Sequence, residues 1–197
     1  MKEQFQQYSS RQGRGFTLIE LLVSIAIFMV VVTIAMGAYV SLIALDRRAR
    51  ATGDLVSNLS FVTNSMSRSI RTGFNYRCNG AGDCLTGASS FTYTDENCRA
   101  VTYVRNTTAN SVGMCVSDPE PTTCNPTPVA CSPSNAPSVT DPRVRVTNLT
   151  FYTRGVNSAT QQPTVSFTLT GVITPDQRSG DVTFTIQGGA TQRIIDL

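Results

Sequence analysis

The chain has 197 residues, a formal net charge of +3 with 15% charged residues, and no histidine. The length admits one globular domain with additions, and the charge is too small and too dispersed to form the basic stripe that marks a nucleic-acid surface. Without histidine there is no imidazole base or Ser–His–Asp triad, and neither a GxSxG elbow nor a phosphate-binding GxxxxGK loop occurs, so the composition argues against an enzyme.

Residues 1–15, MKEQFQQYSSRQGRG, are polar and carry the basic residues Lys2, Arg11 and Arg14. An apolar run then extends from Phe16 to Leu45, and from Leu21 to Leu45 it holds no charge. About 20 such residues cross a bilayer as a helix, and helical pairing satisfies every backbone polar group inside the lipid. A secretory signal places its apolar stretch before the cleavage site; here a cut after Arg14-Gly15 would precede the stretch and leave it in the mature protein. A plain signal-anchor explains the hydrophobicity but says nothing of Gly15 or Glu20. A carboxylate near the start of a membrane helix costs about 2.5–3.5 kcal/mol on insertion scales and calls for a partner or a role. Lys2, Arg11 and Arg14 before the span are balanced by Arg47, Arg48 and Arg50 after it, so basic-residue asymmetry does not fix the orientation.

Beyond Asp46, Leu55, Leu59, Val62, Met66 and Ile70 recur at helical spacing and define one apolar face, predicting a helix of about 55 residues. Thr72-Gly73 is expected to end it, with Gly73 in the left-handed conformation. The six cysteines, Cys78, Cys84, Cys98, Cys115, Cys124 and Cys131, lie in a Thr-, Asn- and Pro-rich stretch. They read as disulfides made outside the reducing cytosol; zinc would need CxxC pairs or histidine, and the sequence has neither. Many connectivities are open, and chain order favours Cys78–Cys84, Cys98–Cys115 and Cys124–Cys131. Val101–Arg105 and Val112–Val116 read as a hairpin. Ser117–Pro142 holds seven of the nine prolines and reads as an irregular, disulfide-pinned loop. In the last third, Arg143–Tyr152, Val165–Ile173 and Val182–Ile186 alternate apolar residues with Thr and Ser, the pattern of a half-buried antiparallel sheet. Turns are expected at Arg154-Gly155, Gln162-Pro163, Pro175-Asp176 and Ser179-Gly180. The predicted fold class is α+β: a long N-terminal helix, its first half membrane-spanning and its second half packed on an antiparallel sheet.

The stretch Gly15-Phe16-Thr17-Leu18-Ile19-Glu20-Leu21-Leu22-Val23 closely resembles the processing site of type IV prepilins and type II secretion pseudopilins. The resemblance implies a pilin-like fold and cleavage between Gly15 and Phe16 by a membrane-embedded prepilin peptidase on the cytoplasmic side. It further implies N-methylation of Phe16, and Glu20 facing the Phe16 amine of a neighbouring subunit during assembly. Many major pilins carry a proline where this chain has Gly37, which reads as a packing notch and favours a minor pilin or pseudopilin. The order of helix, variable middle, three-strand meander and final Arg193-Ile194-Ile195 is loosely similar to minor pilins and to J- or W-type pseudopilins.

The expected division is a leader at 1–15, an assembly and membrane helix at 16–45, and an amphipathic continuation at 46–72. A cysteine-rich variable region at 73–142 and a meander at 143–197 follow. By this resemblance the chain is a structural filament subunit without catalytic residues, cofactor or metal. Its partners would be the peptidase, other pilin or pseudopilin subunits and an inner-membrane assembly platform. It would be anchored once in the cytoplasmic membrane with its C-terminal part outside the cytoplasm, and then sit in a pilus or pseudopilus at the cell surface or in the periplasm. The rival is a tip adhesin or DNA-binding minor pilin, which requires Arg77, Arg99, Arg105, Arg143, Arg145 and Arg154 to converge; a solvated sheet face with scattered arginines is favoured instead. Replacing Gly15 by a larger residue is expected to block processing, seen on immunoblots as a precursor that keeps its leader; normal trimming would refute the assignment.

Overall fold

The computed structural model describes residues 15–80, 82–158, 160–175 and 180–193. Outside them lie residues 1–14 of the expected leader, the turn residues Asp176 and Ser179, and the Ile194-Ile195 end. The chain divides into two compact units, residues 1–45 and 46–197.

Helix α1 runs from Leu18 to Thr72, 55 residues without a break. In the first unit its side chains lie open, from Phe16, Leu18 and Ile19 through Leu42 and Leu45. That length of exposed apolar helix is sufficient to cross a bilayer. In the second unit the expected seam is buried: Leu55, Leu59, Val62, Met66 and Ile70 are each at most 1% exposed. Burying five such side chains is worth on the order of 10 kcal/mol, as an upper estimate against an extended chain.

Eight strands receive that seam: β1 (Phe74–Cys78), β2 (Cys84–Ala88), β3 (Ser90–Thr94), β4 (Ala100–Asn106), β5 (Ser111–Val116), β6 (Arg145–Arg154), β7 (Thr164–Ile173) and β8 (Val182–Thr191). They form two four-stranded antiparallel sheets, ordered β1-β3-β4-β5 and β2-β6-β7-β8. The expected hairpin is β4–β5, and the expected meander is β6–β7–β8. Strand β6 shifts register between Val146 and Asn148, which accounts for its irregular alternation. Along β7 the inward set is Val165, Phe167, Leu169 and Gly171, all buried. Gly171 lies against the helix, where an added Cβ would approach the Leu59 methyls to 3.0 Å.

Residues 74–94, at the start of the expected cysteine-rich variable region, hold three strands that the sequence pattern did not mark. Strand β3 alternates buried Phe91 and Tyr93 with half-buried Ser90 and Thr92, a short period-two signal. Strand β2 belongs to the sheet of the meander through its pairing with β6. Gly73 also differs from expectation, because its φ is not positive; the left-handed residue is Asn75, at φ 54°. Glycine is needed at position 73 for close approach, since a Cβ there would sit 2.2 Å from the Tyr93 ring.

A row of aromatic rings joins the sheets. Tyr103 meets Tyr93 at 6.2 Å, Tyr93 meets Phe91 at 6.0 Å, and Phe91 meets Phe151 of the other sheet at 5.5 Å. Phe151 then meets Phe167 at 5.8 Å. Tyr76 closes on Phe91 edge-on, and its hydroxyl donates to the Ile70 carbonyl at 2.6 Å.

The disulfides are Cys78–Cys84, Cys98–Cys124 and Cys115–Cys131. The first joins the end of β1 to the start of β2 and so ties one sheet to the other. Chain order misassigns the other two pairs. Cys115 stands opposite Thr102 in the hairpin, four residues beyond Cys98, so the two cannot face each other. Both hairpin-side cysteines reach instead into the Pro-rich segment, at Cys124 and Cys131. That segment also runs beside β5, where Met114 N–H donates to the Pro137 carbonyl at 3.0 Å and Val139 N–H to that of Val112 at 2.8 Å.

Burial raises the pKa of the Tyr76, Tyr93 and Tyr103 phenols. A folded-state pKa above the unfolded value of about 10 gives stability fully present below about pH 10 and lost as pH rises towards the folded value. These three phenols are therefore expected to ionise cooperatively with loss of the circular dichroism signal in an alkaline titration. Gradual ionisation with the signal intact would refute this account of the core.

Candidate functional site

The residues from Gly15 to Glu20 sit where extended backbone turns into helix. Thr17 occupies the position before the first helical residue, Leu18. Its hydroxyl oxygen accepts the Glu20 N–H at 3.3 Å, and its carbonyl accepts the Leu21 N–H at 3.2 Å. Thr17-Leu18-Ile19-Glu20 is therefore a T-x-x-E helix start, with the threonine capping an amide that has no intrahelical partner. This role of Thr17 went unread in the sequence although the four-residue signature was present. Glu20 lies in the first turn, where the helix dipole favours negative charge.

Glu20 is exposed, and its carboxylate has no ion pair or hydrogen bond among the described residues. Its own carbonyl accepts the Ser24 hydroxyl at 2.7 Å, a local bond that leaves the side chain unengaged. The capped amide gives the backbone at position 20 a structural purpose; the charged side chain, set in an apolar run, is uncompensated among the described residues. Phe16 is 80% exposed and precedes the helix. Nothing lies within 4 Å of where a Cβ at Gly15 would be, and its φ is not positive. The fold itself thus has no requirement for glycine at position 15. Gly37 is equally open to a Cβ and leaves the helix unbroken.

The arginines of the rival reading are held one by one. Arg99 pairs with Asp95 at 2.8 Å, Arg143 with Asp141 at 3.1 Å, and Arg145 with Asp181 at 2.9 Å. Arg143 holds the Asp141 carboxyl below its usual range by hydrogen bonding, and the Thr174 hydroxyl, ahead of Arg145, lowers that of Asp181. Arg77 donates to the Asn125 side-chain oxygen at 3.3 Å and Arg105 to the Val146 carbonyl at 3.3 Å. Arg154 lies beside Leu85 and Tyr152 in a separate shallow groove. Arg143 and Arg145 come together in a cleft with Arg47, Arg50 and Asp54. No group of three or more acidic, thiol or imidazole side chains able to hold a metal occurs among the described residues.

Residues 10–36 match the family described as the prokaryotic N-terminal methylation motif. Neither a curated protein nor a solved structure matches the chain. The motif, together with the apolar helix behind it, indicates a type IV pilin-like precursor and a structural role, with processing by a prepilin peptidase and assembly with other pilin subunits.

Loss of the cap in Thr17→Val is expected to cost about 1 kcal/mol locally, roughly five-fold faster hydrogen exchange at Leu18–Leu21 in detergent-solubilised protein. Thr17→Ser should retain protection, and equal exchange in all three proteins would refute the cap.

Proposed function

We propose that this chain is a minor pilin or pseudopilin, cut between Gly15 and Phe16, methylated at the Phe16 amine, and built into a pilus-like filament or secretion pseudopilus through α1. In this reading the leader is residues 1–15, the assembly helix begins at Phe16, and an inner-membrane platform draws the subunit out of the cytoplasmic membrane. The domain carrying the strands stands outside the cytoplasm, in keeping with its three disulfides.

Gly15 and Glu20 carry this reading. The fold does not need a glycine at position 15, so its requirement is best sought in an external reader such as a peptidase. Glu20 is a carboxylate at the head of the uncharged stretch Leu21–Leu45, with no cationic or hydrogen-bond-donor partner for its side chain among the described residues. An unpaired charge in a low-dielectric setting costs several kcal/mol, and a cationic amine from a neighbouring chain relieves that cost. Such a pair fixes the axial register of subunits more than it adds to net stability. The unbroken helix through Gly37 supports a minor pilin or pseudopilin over a major pilin.

An adhesive or DNA-capturing tip subunit is the weaker reading. Its six candidate arginines are largely committed to acids, an amide and a carbonyl within the chain, so they offer little to a phosphate backbone. Glu20→Leu is expected to reach the membrane at normal levels while its recovery in sheared filaments falls about ten-fold, the equivalent of ~1.4 kcal/mol. Normal incorporation of Glu20→Leu would overturn the proposed register role.

A further inference from the structure

A second cationic site lies far along the chain from the assembly helix start. A groove of about 780 Å³ opens between the last turns of α1 and the ends of β7 and β8. Arg68 and Arg71 line it from the helix, one turn apart, and Arg193 lines it from just beyond β8. Gln162, Thr164 and Thr191 add amide and hydroxyl groups, and no acidic residue lines it among the described residues. The walls are tied together: Arg193 N–H donates to the Arg71 carbonyl at 3.1 Å, Gln192 N–H to that of Pro163 at 2.9 Å, and the Gln162 amide to the Gln192 carbonyl.

None of the three guanidinium groups has an ion pair or hydrogen-bond acceptor among the described residues. The helix dipole accounts for a cation at Arg71 in the last turn, but not for Arg193, which lies on a different element. Three guanidinium groups around one groove, unpaired among the described residues, create a local positive potential suited to oxyanions, and their planar forks match carboxylates bidentately.

The last residues of β8, Gly189, Ala190 and Thr191, line this groove, and β8 ends its sheet. Its ten residues, VTFTIQGGAT, contain no charge and no proline, the devices that ordinarily blunt an open strand edge. Such an edge is a template for an added strand. We propose that this edge and groove bind an extended acidic polypeptide segment, which pairs along β8 and places carboxylates on Arg68, Arg71 and Arg193. A nucleic acid fits less well. No aromatic side chain lines the groove for base stacking, and Arg50, Arg99, Arg143 and Arg145 are ion-paired rather than aligned into a track for a phosphate backbone. This inference does not depend on the filament reading and holds for any partner presenting such a strand.

The test uses the full chain in detergent and a fluorescein-labelled peptide alternating Glu with Thr, followed by anisotropy. Binding is expected to weaken about ten-fold or more in the Arg68→Ala/Arg71→Ala/Arg193→Ala protein and with added salt. Arg193→Glu alone should weaken it in the same direction. The same peptide with alternate backbone nitrogens methylated should also bind about ten-fold more weakly, because it cannot pair along a strand. Equal binding of a Lys/Thr peptide, or no effect of the arginine changes, would overturn the site. Equal affinity of the methylated peptide would overturn strand addition. Tighter, arginine-dependent binding of a duplex DNA of about 20 base pairs would reassign the groove to a polyanion. A ten-fold gain in Asp196→Asn would assign it to the chain's own last residues rather than to a partner.

Discussion

The globular unit depends on one contact: the apolar seam of α1 pressed onto the aromatic row that joins the two sheets. Leu55 and Leu59 reach Gly171 on β7, while Ile70 meets Tyr76 through a hydrogen bond between its carbonyl and the phenol. Phe91 and Phe151 belong to different sheets and stack at 5.5 Å. Neither sheet has an independent core of any size, because both bury their inner faces in this shared cluster. Removing the helix would leave two thin sheets with a row of rings between them and water on one side.

The same helix has another kind of surface in its first half. From Phe16 to Leu45 the aliphatic and aromatic side chains lie open along a length no soluble surface of this size tolerates. What covers them must be apolar: a bilayer, or like helices of neighbouring subunits. Glu20 is the exception within that surface. Thr17 fixes the backbone at Glu20 by capping its amide, so the carboxylate is presented from an ordered turn rather than from a frayed end.

The cysteines do separate work in the second unit. Cys78–Cys84 joins the two sheets across a short connection, the place where their main chains diverge. Cys98–Cys124 and Cys115–Cys131 anchor a segment whose prolines prevent a ladder of its own, and backbone bonds from Met114 and Val139 complete the attachment beside β5. Two cysteines, Cys98 and Cys124, take positive φ, so the path of the chain around that bridge is set by the fold as well as by the bond.

The sequence by itself determined the elements whose signals are local and periodic. Leu55 to Ile70 at helical spacing, the alternation along β7 and β8, the β4–β5 hairpin and the Gly15–Glu20 motif were all legible, because each is written in neighbouring residues. The capping role of Thr17 is local in the same way, written in the four residues from Thr17 to Glu20. Only the tertiary structure decided the split into two sheets, the recruitment of β2 by β6, the exchange of disulfide partners and the reason for Gly73. Each of these turns on which distant residues meet, as Cys115 opposite Thr102 and Tyr93 against Gly73 show, and no spacing along the chain encodes those encounters. The groove at Arg68, Arg71 and Arg193 belongs to the second kind as well: Arg193 is more than a hundred residues from the other two in sequence and joins them only where β8 returns to the end of α1.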